Sequence, residues 1–224
     1  MKKITVFFFV FFLILSAKAQ IINVNPDPNG EPWMLGGLRV PSEEELNLIK
    51  TVENMKVDNS KELPAFLNNS ESQYFRPVFN QQGGSCAQAS GIAYNFTYEM
   101  NRLHGTNANI LENQFPSHYT YNFLNAGSES VGSNYTDGWY IIAANGCPNA
   151  DDYGGLWMPN DYYSNFWASG YDLYINGMQN RVEEQFAIDV STLEGLITLK
   201  HWLYDHLDGS LTGGIVNFSA GISV

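Results

Sequence analysis

At 224 residues the chain is long enough for one large domain or two small ones with real cores, and an apolar share of 44% excludes a disordered polypeptide. Its net charge of −12, from 23 acidic against 11 basic residues, argues against nucleic-acid partners and against anionic membrane surfaces. Aromatic residues at 14% and charged residues at only 15% suit an exported protein with polar, aromatic-rich loops.

Residues 1–19 have the pattern of a secretory signal peptide. Lys2 and Lys3 precede an apolar run from Ile4 to Leu15, too short to span a bilayer, and Ala17-Lys18-Ala19 forms a small-x-small cleavage site. The mature chain is expected to start at Gln20. It is secreted or periplasmic on this reading, with no membrane association after cleavage; an uncleaved anchor is the alternative. Residues 20–62 read as a linker and N-terminal, pro-like region with one helix. Ser42 and Glu45 have capping-box spacing at its start, and Leu46, Ile49, Val52 and Met55 give it an apolar face.

Residues 63–80 are polar and loop-like, with Leu63-Pro64 and Arg76-Pro77 as breakers. The stretch Asn80-Gln81-Gln82-Gly83-Gly84-Ser85-Cys86 follows. Beyond it, apolar residues at Ile92, Phe96, Met100 and Leu103 recur every three or four positions until Gly105, which predicts a helix of about five turns. Cys86 then falls in the first turn, where free backbone N–H groups and the helix dipole favour a thiolate, the nucleophilic form of cysteine. The glycines let backbone approach whatever Cys86 attacks. Cys147 lies in an Asn-Gly-Cys-Pro turn. A Cys86–Cys147 disulfide is the competing reading in an oxidising compartment.

Gln81, Gly84-Ser85-Cys86 and the helix after them resemble the nucleophile segment of the papain-like cysteine peptidases. That resemblance implies an α+β, papain-like fold, made mostly of the helical left-hand domain with the start of the right-hand β domain, over residues 63–224. It implies Cys86 as the catalytic nucleophile, Gln81 with the Cys86 amide as oxyanion hole, Gly83 and Gly84 at the substrate, and a peptide or protein as substrate. No cofactor and no metal are implied. The family's glutamine lies six residues before its cysteine, where this chain has Asn80, and Ala87 replaces the usual tryptophan.

The rest of the chain follows the same order of elements. Leu111 to Asn122 is similar to a segment that opens a short helix, and Gly138 to Asn145 reads as a helix ended by Gly146. Residues 153–174 gather Tyr153, Trp157, Tyr162, Tyr163, Phe166, Trp167, Tyr171 and Tyr174, either a loop packed by its own aromatics or a wall for a sugar or peptide ligand. Asp189 to Asp208 reads as a helix with a Ser191–Glu194 capping box, ended by Gly209, and 213–222 as a strand.

A peptidase of this type needs a histidine about 130–150 residues past its cysteine, and no histidine follows His206. His104 ends the Cys86 helix, His118 falls in a loop, and His201 and His206 lie on the last helix, His206 near its C-terminal dipole. Surface or packing roles are expected for all four. The expected protein is thus an exported papain-like peptidase hydrolysing peptide bonds through a Cys86 thioester, cut off before its histidine and asparagine and inactive alone. The alternatives are a noncatalytic exported binding protein using the aromatic 153–174 region, and a structural envelope protein. Asp137, Asp151 and Asp152 lack the loop spacing of a calcium site.

Overall fold

The structure is a computed structural model that describes residues 42–54, 62–128, 130–155 and 170–218. The signal-peptide and linker readings before residue 42, Met55, the aromatics at 157–167 and the strand reading beyond 218 lie outside the described residues.

The fold is α+β with helices dominant. Among the described residues its sheet is one parallel pair, β1 (Lys50–Thr51) with β2 (Phe186–Ala187), in the register Lys50 opposite Phe186. An ion pair from Lys50 to Glu184 ties the same two segments together. Helix α1 (Glu43–Asn47) starts on the expected capping box: the Ser42 hydroxyl accepts from Glu45 N, and Glu45 accepts from Ser42 N at 2.7 Å. It is shorter than the apolar spacing predicts. The chain turns at Leu48, Lys50 enters the sheet, and α1 buries no residue.

The core is built on the helix that starts at Cys86. It has three parts: α2 (Cys86–Gln88), a π-helical segment Ala89–Phe96, and α3 (Thr97–His104), which Gly105 ends in the left-handed conformation at φ 66°. Periodicity located this helix but not its π-helical middle, whose wider turn changes the step to five residues. Ala87, Ile92, Phe96 and Met100 share the buried face because they stand five, four and four apart. Ser90 is one local cause. Its Oγ donates to Cys86 O at 3.0 Å and Ala87 O at 3.2 Å, competing with the ladder bonds of the first turn.

Two helices pack on this one, α4 (Ser117–Leu124) and α5 (Tyr135–Asn145). The shared core adds Phe115, Tyr119, Tyr135, Trp139, Ile142, Cys147 and Tyr153. The Phe96 ring meets Phe115 at 4.6 Å and the edge of Trp139 at 6.2 Å. Gln88 is wholly buried yet satisfied: Nε2 donates to Asn134 O (2.7 Å) and Ser133 Oγ (3.0 Å), and Oε1 accepts from Thr120 (2.8 Å). Gly138 leaves the room this amide fills, since an added Cβ would overlap Gln88 Oε1. Short α6 (Ala150–Tyr153) packs on the 3-10 turn Leu111–Asn113, and α7 (Tyr171–Gln179) packs on α5. Tyr153 is core, with its hydroxyl accepting from Asn122, whereas Tyr171 and Tyr174 are exposed on α7.

The last helix, α8 (Leu193–Asp205), corrects two expectations. Thr192, not Ser191, is its N-cap and accepts from Gly195 N, and His206, not Gly209, terminates it in the left-handed region at φ 57°. Residues 213–217 are not in a strand; a single bridge residue falls at Phe218. This extended tail is pinned along the Cys86 helix instead. Tyr98 donates to Gly213 O, Trp202 and Asn95 to Ile215 O, and Tyr135 to Phe218 O. Among the described residues no helix is long and apolar enough to cross a membrane.

Candidate functional site

Cys86 opens the longest helical run among the described residues, with an N-terminus that its own cap leaves free. Ser85, the N-cap, turns its hydroxyl back to Gln82 O (2.6 Å) and makes no side-chain cap. First-turn amides are therefore available to the sulfur, and those of Cys86 and Ala87 act to lower its pKa. The turn before it is held from behind. The Tyr121 hydroxyl accepts from Gly84 N at 3.0 Å and donates to Val131 O at 2.8 Å. Gly84 lies so close to this anchor that an added Cβ would fall 2.6 Å from Val131 O, and Gly83 takes φ 60°.

The electrostatics differ from expectation. Burial pushes the Cys86 thiol above its ordinary pKa, outweighing the lowering by the Ala87 and Cys86 amides. A helix N-terminus alone does not make this a resting thiolate, because a half-buried sulfur loses more hydration than two amides restore. Tyr135 stands beside it: burial raises its phenol, the Ser90 hydroxyl lowers it, and the Cys86 charge raises it.

Gln81 is exposed, and its Nε2 folds back to Gly83 O at 3.4 Å. The neighbouring Gln82 is the half-buried one, with Oε1 buried and unpartnered. Gly83 is exposed and Gly84 half-buried. Both cysteines are free: Cys86 is partly accessible, while Cys147 is fully buried in the core, its thiol pushed well up by burial. The structure thus holds no disulfide between them.

The histidines serve other tasks. His118 is not in a loop but on α4, fully buried, where desolvation holds its imidazole down to about 4. His104 is exposed at the end of α3. His201 faces Asp205 at 3.4 Å. His206 packs its ring, tilted by 47°, on Trp202 (3.7 Å between centroids), accepts from Arg102 at Nδ1 (3.0 Å) and donates from Nε2 to Glu99 (2.9 Å), which fixes its tautomer and locks α8 to the Cys86 helix. Among the described residues no histidine stands among the groups that set the Cys86 pKa. No group of three or more His, Cys, Asp or Glu residues there forms a metal cage.

Tyr121, Ser90 and Tyr135 were missed by sequence reasoning. Only the Tyr-x-Tyr spacing at 119–121 hinted that α4 had aromatic hydroxyls to offer. No protein-family model matches this chain, and no curated protein matches it. Among solved structures it is similar to xylellain, a cysteine protease from Xylella fastidiosa, at 12% sequence identity and a TM-score of 0.44. That likeness covers 81% of this chain and 63% of the other, so this chain spans less than two thirds of that structure's length.

Proposed function

We propose that the chain is an exported cysteine-type peptidase in which Cys86 forms the thioester. The observation that carries the reading is a partly accessible thiol in the first turn of a helix whose N-cap side chain makes no capping bond, so that first-turn amides favour its charged form. An oxyanion held by such an amide gains about 3 kcal/mol per donor. The rigid Gly84 turn and the resemblance of residues 81–86 to papain-like peptidases support the same assignment. Attack requires deprotonation, since the resting group is the neutral thiol. In this scheme a base outside the four histidines described above takes the proton.

A second reading rests on that raised thiol. A chain with no histidine at the sulfur suits a noncatalytic binder that keeps the peptide cleft. One experiment separates the two: the full chain and its Cys86→Ser variant are given a fluorogenic peptide, and Cys86 is challenged with a peptidyl vinyl sulfone and with the same electrophile lacking the peptide. Hydrolysis lost in Cys86→Ser supports the peptidase. A tenfold or greater preference for the peptidyl reagent without hydrolysis overturns catalysis and leaves the binder. Neither hydrolysis nor preference overturns both.

A further inference from the structure

We propose that Arg76 is the centre of a binding site for a single carboxylate. Arg76 is 3% exposed, and its guanidinium makes one hydrogen bond, from Nε to Pro77 O at 3.3 Å. Nη1 is buried with no partner. No ion pair reaches this group from any described residue, in a chain with 23 acidic side chains to choose from. A buried cation is ordinarily paired, because leaving water costs it far more than apolar packing returns.

What surrounds Arg76 has the form of a holder. The guanidinium lies over the Phe79 ring at 4.2 Å and the Tyr94 ring at 5.6 Å. Phe79 stacks on Tyr94 at 5.4 Å, the Phe75 ring meets Tyr94 at 5.5 Å, and Phe79 N donates to the Tyr94 hydroxyl. Ring faces satisfy the faces of a guanidinium but not the N–H groups in its plane. The in-plane edge that carries the unpartnered Nη1 is part of a planar fork, which matches a carboxylate bidentately. One unpaired cation calls for one negative charge, and the −12 chain repels polyanions, so a carboxylate fits better than a phosphate dianion. Desolvation brings the guanidinium down to about 10, which leaves it charged at neutral pH. The site does not depend on the chemistry assigned to Cys86.

The test uses the full chain and reads melting temperature at constant ionic strength as sodium propionate replaces chloride. Two further arms add one peptide with a free C-terminal carboxylate and the same peptide amidated. The expected result is a rise with propionate that Arg76→Met weakens at least tenfold in apparent affinity, while Arg76→Met in chloride melts no lower than wild type. A free peptide that saturates well below propionate, with an inert amide, makes a peptide terminus the source. Equal concentrations make it a small carboxylate. Should Arg76→Met fail to fold, propionate must slow amide exchange over residues 75–79 of the wild-type chain. The proposal is overturned by a propionate response no greater than that to chloride, an unchanged response in Arg76→Met, or no added protection in the exchange arm.

Discussion

Acidification should strip a defined amount of stability from this fold through His118. Its imidazole is fully buried on α4, with Nδ1 at 3.3 Å from Ser117 Oγ and its ring edge-on to Tyr121 at 5.2 Å. Burial lowers its pKa from 6.5 to about 4. The unfolded chain therefore binds this proton first, and between those two values stability falls as pH falls. The contribution is complete above 6.5 and levels off below about 4. At about 1.36 kcal/mol per pH unit, the gap comes to about 3 kcal/mol lost by pH 4. Carboxylates add their own pH dependence, so the measurement is a difference. Urea unfolding of wild type and His118→Gln is followed from pH 7.5 to pH 4, and the wild type should lose about 3 kcal/mol more than the variant. The variant is less stable throughout, but the slope is what matters. Parallel curves, or an NMR titration that protonates His118 near 6, would refute the reasoning, and with it the idea that α4 keeps a buried imidazole neutral.

Iodoacetamide should modify Cys86 more slowly than free cysteine at pH 7, with a rate that climbs in alkali, and should reach Cys147 only on unfolding; peptide-mapped mass spectrometry reads both. Gly138→Ala should destabilise by about 2 kcal/mol in denaturant melts despite alanine's better helix propensity, because the new methyl displaces the Gln88 amide from its buried partners. In a Gln88→Ala background the same change should be neutral or stabilising, and additivity of the two would count against the explanation. Arg102→Met should cost about 3 kcal/mol by equilibrium unfolding, since it leaves the largely buried Glu99 carboxylate with only His206.

Local signals fixed the ends of elements where one residue's chemistry suffices. Ser42 and Glu45 announce a capping box, Gly105 and Gly146 announce helix ends, and the spacing of Ile92, Phe96 and Met100 announces a buried face. The nucleophile candidate was legible for the same reason, since Gly83-Gly84-Ser85-Cys86 places a thiol at a helix start whatever packs around it. Three-dimensional packing decided the rest. The π-helical middle arises where Ser90 competes for carbonyls while α4 and α5 crowd the helix. His206 ends α8 in a conformation glycine would favour because Arg102, Glu99 and Trp202 hold its ring. The Cys86 thiol is raised rather than lowered because desolvation depends on which neighbours exclude water from the sulfur. The adjacent glutamines show the same division: sequence offers two nearly equivalent amides, and only the turn clamped by Tyr121 exposes Gln81 and buries Gln82 Oε1. Arg76 reads as a loop residue beside a proline, and its lack of an ion pair with any described carboxylate follows from distances that exist only after folding.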